Sequence, residues 1–114
     1  MPARAPRAKC AVRQSLDKYQ ALVSRRLLDL IPAFLRNRWT ELESLRQALA
    51  TGDFEKLRQL AHRMRGVGGS YGFHYVTMLG REIEQCAGNG DAQSLAKLVR
   101  DYADYLANVR IEYA

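Results

Sequence analysis

His62 is the residue of this chain best suited to covalent chemistry, and its neighbours supply the reason. A neutral imidazole nitrogen is a competent nucleophile near physiological pH. On a helix, Arg58 lies one turn before His62 and Arg65 nearly one turn after it. If the ring takes a phosphoryl group, the product is strongly anionic, and guanidinium groups meet such charge with charge-assisted hydrogen bonds. The same cations favour the neutral, nucleophilic ring over the imidazolium. Gly66 and Gly69 follow His62 at i+4 and i+7, along its own row of the helix. Their missing side chains clear a shallow landing surface around the imidazole. A surface histidine beside arginines is equally compatible with no role, and spacing alone does not separate the two readings.

The orientation of His62 follows from helical arithmetic. At about 100° per residue, Phe54, Leu57, Leu60, Ala61 and Met64 define one apolar face, and His62 falls roughly 150° from its centre. The imidazole is therefore expected in solvent. Gly68 falls on the inward side, where a missing side chain permits close helix packing. If the helix runs through Gly66, Gly68 and Gly69, the three glycines cost about 3 kcal/mol relative to alanine. If Gly66–Gly72 is instead a loop, they are turn residues. Both courses remain open from the spacing.

The rest of the chain supplies the elements that must position this face. No sustained alternation of β-branched residues occurs, so no strand is expected. Helical periodicity dominates. A leading helical segment over residues 15–30 carries Leu16, Tyr19, Val23, Leu27 and Leu30, with Ser15 as its cap. Pro32 disfavours α geometry at Ile31 and opens a second helix with Leu35, Trp39, Leu42, Leu45 and Leu49 on one stripe. Thr51-Gly52 closes it, and Asp53 caps the helix that bears His62. A further helix carries Phe73, Val76, Leu79, Gly80, Ile83 and Ala87 inward and ends at Gly88-Asn89-Gly90. Asp91 caps the last, with Leu95, Leu98, Val99, Tyr102, Leu106, Val109 and Tyr113 on its stripe. The spacing thus predicts an all-α fold: an antiparallel up-down-up-down four-helix bundle over about residues 32–113, plus the leading helical segment.

Composition bounds the possibilities. A chain of 114 residues supports one domain. No apolar run approaches the roughly 20 residues of a membrane span, so no membrane insertion is expected. The formal net charge of +6 suggests nucleic acid or an acidic partner. Yet Arg4, Arg7, Lys9, Arg13, Lys18, Arg25 and Arg26 stand against Asp17 alone, so residues 1–26 carry the whole excess and the remainder is neutral. Residues 1–14 are expected to form a flexible basic tail, and residues 15–114 the domain. No apolar stretch of secretory type follows the early charges. Cys10 and Cys86 make no disulfide framework, which fits a reducing, cytoplasmic setting. His62, His74, Cys10 and Cys86 lack metal-ligand spacing, so no metal or cofactor is expected in the chain. Gly66-x-Gly68-Gly69-x-x-Gly72 has neither a preceding strand nor a following Gly-Lys-Ser/Thr, which argues against a nucleotide loop.

The run Ala61-His62-Arg63-Met64-Arg65-Gly66-Val67-Gly68-Gly69-Ser70-Tyr71-Gly72-Phe73 resembles the signature of histidine-containing phosphotransfer (HPt) domains of bacterial two-component phosphorelays. The family pattern is Ala-His-x-Leu-Lys-Gly, followed in many members by small residues and Gly-Phe. The resemblance spans about residues 28–108 and includes Phe34-Leu35, the Gly52-Asp53 boundary and Ile83-Glu84. It implies that His62 accepts a phosphoryl group from an aspartyl-phosphate receiver domain and passes it to another response-regulator receiver, without binding ATP. By the same resemblance, the partners are receiver domains and a hybrid sensor kinase, and Mg²⁺ belongs to the receiver. Arg65 is the expected charge stabiliser and Arg58 its support, with Gly66, Gly69 and Gln59 as partner contacts. Two positions depart from the pattern. Arg65 replaces the usual Lys, keeping the charge but changing its shape. Met64 replaces Leu, a volume-conserving change. A monomer is expected. The competing expectations are a nucleic-acid-binding protein acting through its basic arm, and a degenerate HPt module that docks without transfer.

Overall fold

A computed structural model describes residues 18–114. The expected flexible tail over residues 1–14, the cap at Ser15 and the inward Leu16 lie outside the described residues. The order is strand β1 (Gln20–Val23), a 3₁₀ turn (Arg25–Leu30), helices α1 (Ile31–Thr51), α2 (Phe54–Tyr71), α3 (His74–Gly88) and α4 (Ala92–Asn108), then strand β2 (Arg110–Tyr113).

The helix boundaries follow local chemistry. Gly52 ends α1 at φ 69°, where a side chain would be strained, and Asp53 N–H donates back to Ala48 O at 2.8 Å. The Asp53 carboxylate then accepts from Lys56 N–H at 3.0 Å and caps α2. Gly72, at φ 92°, ends α2 in the same way, with Phe73 N–H donating to Gly68 O at 2.8 Å. Asp91 caps α4, accepting from both the backbone N–H and the hydroxyl of Ser94. Pro32 sits in the first turn of α1, as its fixed φ allows, but Ile31 already has helical angles, so the helix starts one residue earlier than the proline suggested.

The core joins one face of each helix. Leu42, Leu45, Leu57, Met64, Val76, Ile83, Leu95 and Tyr102 are fully buried. Phe34 stacks on Tyr71 and Phe73, with centroids 4.4 and 4.7 Å apart, and so ties α1 to the α2–α3 turn. Glu41 is the buried charged residue of this core, and Tyr102 donates a 2.8 Å hydrogen bond to it across α1 and α4.

Three sequence expectations are corrected. The leading segment is not an α-helix over its described part: residues 20–23 are extended and residues 25–30 form a 3₁₀ turn. Val109 and Tyr113 do not continue the last helix, because the chain turns extended at Val109 and enters β2. The two strands pair in parallel, with Gln20 beside Arg110 and Val23 beside Tyr113. Tyr19/Val23 and Val109/Tyr113 are spaced by four, which suits one helical turn and also an even strand period. Burial of Ala21 and Val23 against the bundle decided for the strand. Trp39 is the third correction. It is 43% exposed, because Ile31, Phe34, Leu42 and Leu45 set the buried face and Trp39 lies beyond its edge.

Candidate phosphotransfer site

The helix α2 continues unbroken through Gly66, Gly68 and Gly69 to Tyr71, so the glycine stretch is helix rather than loop. Each of these glycines answers a different demand. A Cβ at Gly68 would lie 2.8 Å from Phe73 O and Thr77 N, so this position requires glycine for contact with α3. Gly80 on α3 meets α2 nearer its middle, where a Cβ would lie 2.8 Å from Ala61 O and Met64 Cβ. Thr77 then donates its hydroxyl to Arg65 O at 3.0 Å and locks the two helices at close range. Gly66 is open, with nothing within 4 Å of a Cβ, and Gly69 meets only Thr77 Oγ1 at 3.5 Å. Both lie on the exposed surface beyond His62, as the helical arithmetic predicted.

Close approach of α2 and α3 has a chemical consequence one turn after Gly80. Glu84 reaches across from α3 to two residues of α2. Its Oε2 is 3.3 Å from His62 Nδ1, and its Oε1 accepts from Arg65 Nη1 at 2.7 Å. The Arg65 hydrogen bond, followed by that of His62, holds the Glu84 carboxyl below the usual carboxylate range. An ionised carboxylate only accepts, so Nδ1 must be the protonated ring nitrogen. In the neutral ring the free lone pair is then on Nε2. The side chain of His62 is 69% exposed and that of Glu84 20%. A partly shielded carboxylate therefore orients a solvent-facing imidazole.

Around the imidazole is a shallow hollow of about 340 Å³ lined by Arg58, Gln59, His62, Arg63 and Glu84. Arg58 is bound to Glu55 within its own helix. Its Nε and Nη2 donate to the two oxygens of Glu55 at 3.0 and 2.6 Å, and this contact raises the guanidinium pKa and lowers that of Glu55. Gln59 also donates to Glu55, at 3.3 Å. Of the two arginines singled out from spacing, Arg65 is thus joined to His62 through a shared carboxylate, while Arg58 is committed to Glu55.

The geometry is that of a held histidine on an open helix face. The family model for the HPt domain matches residues 29–112, most of the chain. The chain belongs to the HPt domain family. Comparison with curated proteins and with solved structures finds no match. HPt domains are histidine phosphotransfer modules of phosphorelays, phosphocarriers rather than kinases.

Within this HPt domain, sequence reasoning undervalued two residues. Glu84 was noted only as part of the resemblance, because its partners lie 22 and 19 positions earlier. The available signal was Gly80, four residues before it, whose inward place marks a close helix contact. Arg63 shares the hollow with His62, but its position in the motif suggested nothing. His74 is exposed at the start of α3 and takes no part in the site. Among the described residues no cluster of three His, Cys, Asp or Glu side chains gathers as a metal site, and no helix is long and apolar enough to cross a membrane.

Proposed function

We propose that His62 is the phosphoryl acceptor of a phosphorelay carrier. The observation that carries this is the Glu84 contact, which leaves Nε2 as the exposed lone pair. In the reaction, Nε2 attacks the phosphorus of an aspartyl phosphate on a receiver domain. The N–P bond forms as the P–O bond to the receiver's aspartate breaks, and that aspartate leaves as a carboxylate. Attack places positive charge on the ring, and Glu84 at Nδ1 is positioned to stabilise it. The reverse sequence delivers the phosphoryl group to a second receiver. Positioning and charge stabilisation suffice for such transfers, so an open helix face is adequate.

On this reading, a hybrid sensor kinase's receiver is the donor and a response regulator the recipient, and Mg²⁺ is supplied by the receiver. Arg65 stabilises the phosphoryl charge once it exchanges Glu84 for the new anion. Arg58 acts only through release from Glu55. Gly66, Gly69 and Gln59 form the partner-facing floor, supported by their exposure beside His62. The two-residue connections at Gly52-Asp53 and Gly72-Phe73 support an antiparallel up-down-up-down course. The protein acts as a cytoplasmic monomer of one domain, residues 15–114. The nucleic-acid alternative rests on residues 1–14, outside the described residues.

The test is phosphotransfer profiling with phosphorylated receiver domains. Wild type acquires an acid-labile label, and His62→Gln acquires none. Equal labelling of His62→Gln would overturn the assignment.

A further inference from the structure

Three guanidinium groups surround His62, and two are neutralised where they stand. Arg58 pairs with Glu55 at 2.6 Å and Arg65 with Glu84 at 2.7 Å. Arg63 is exposed, lines the same hollow, and has no carboxylate within 4 Å and no side-chain hydrogen bond among the described residues. Arg63 also acts electrostatically on Glu41, which lies buried at the α1–α4 contact. Glu41 already has Arg38 Nε at 3.4 Å and the Tyr102 hydroxyl at 2.8 Å.

The difference matters at a distance. A closed ion pair presents a dipole, whose field falls off quickly, whereas an unpaired guanidinium presents a net charge felt across about a Debye length of 8–10 Å. Arg63 therefore supplies the net positive charge of the hollow. By helical arithmetic it lies about 100° round α2 from His62, on the side away from Glu84 and Arg65. An anion centred on Nε2 would have Arg65 on one flank and Arg63 on the other.

We propose that Arg63 is a specificity-determining residue that guides the encounter with the phosphorylated receiver, drawing the acyl-phosphate dianion and its surrounding carboxylates onto His62. This rests on the assignment of His62 as acceptor. Exposed charges at the rim of an interface act chiefly on association rate and its salt dependence. Arg63 accordingly governs arrival, while Glu84 and Arg65 govern the bond-making step. The variable position after the histidine becomes a point at which receivers of different surface charge are distinguished.

The experiment uses the full chain and the receiver domain that labels wild type fastest in the profiling. Transfer is followed by rapid quench across receiver concentration and from about 0.05 to about 0.5 M salt, a range over which screening changes strongly. At low salt, Arg63→Ala lowers the second-order transfer constant about threefold and Arg63→Glu about tenfold or more, while Arg63→Lys stays near wild type. The curves converge at high salt, and the first-order rate at saturating receiver is unchanged. An Arg63→Glu protein with the wild-type constant and salt slope overturns the proposal. So does a fall in the saturated rate without a change in association. His62→Gln is run in parallel. Its labelling would sink the acceptor assignment, whereas its silence beside an unaffected Arg63→Glu would sink only the encounter role.

Discussion

Glu84 and His62 sit on neighbouring helices with Oε2 and Nδ1 3.3 Å apart, and the other oxygen of Glu84 takes Arg65. One carboxylate thus sets the tautomer of the imidazole and holds the neighbouring guanidinium. The close contact of α2 and α3 at Gly68 and Gly80 makes that reach possible.

Glu84→Ala removes the acceptor from Nδ1 and frees Arg65. Loss of one hydrogen bond to a charged group, about 1.5–3 kcal/mol, corresponds to a transfer rate lower by about tenfold or more. Glu84→Gln keeps an acceptor oxygen and gives an intermediate rate. Imidazole ¹⁵N shifts check the cause: wild type and Glu84→Gln show the Nδ1-protonated tautomer, and Glu84→Ala shows a mixture. Because the folded pKa of Glu84 is depressed, its ionised contacts persist above the ordinary carboxylate range and break as pH falls through the lower value.

Arg65 meets Glu84 through one nitrogen, Nη1, so the planar fork of arginine is not used in that contact. Arg65→Lys should transfer within about threefold of wild type, whereas Arg65→Ala should lose about tenfold, the scale of one charge-assisted hydrogen bond. Single-turnover rates at saturating receiver separate the two.

The glycines of the site differ in what they tolerate. Gly80→Ala and Gly68→Ala each place a Cβ 2.8 Å from fixed atoms and should cost about 1–3 kcal/mol as overpacking. Gly66→Ala meets nothing within 4 Å and gains helix propensity, so it should stabilise by about 0.4–1 kcal/mol. Urea unfolding of the three variants gives opposite signs along one stretch of sequence.

Burial raises the Glu41 carboxyl above its usual value, against the opposing pull of Arg38 and the Tyr102 hydrogen bond. The native state therefore holds this proton at a pH where the unfolded chain has released it. Stability from this group is greatest below the ordinary carboxylate pKa and declines as pH rises through the raised folded value. Glu41→Gln lacks that decline. The unfolding free energy of the variant minus that of wild type should grow across this window and level above it. Tyr102→Phe leaves Glu41 without its hydroxyl partner and should cost about 1–3 kcal/mol at neutral pH.

Much of the helical core was legible because helical burial is periodic in one chain. Leu57, Leu60, Ala61 and Met64 recur at helical spacing, and all are buried. The Asp53 and Asp91 caps were legible for the same local reason, since a cap and its N–H partner lie three residues apart. Tyr19/Val23 and Val109/Tyr113 misled because a spacing of four fits both a helical turn and a strand. Pairing between segments far apart in the chain, Gln20 with Arg110, and burial of Ala21 and Val23 resolve it.

The outward place of His62 is a property of α2 alone, and so are the open positions at Gly66 and Gly69. Those the amino-acid sequence determined by itself, since rotation along one helix is set by residue number. Which partner holds the imidazole and Arg65 was decided only by the tertiary structure. Arg58, Arg63 and Arg65 are alike in type, and all lie close to His62 along the chain. Glu55 claims the first, Glu84 on another helix claims the third, and Arg63 retains its charge. Electrostatic roles depend on which groups share space, and the packing of α3 against α2 assigns the partner of Arg65 and His62.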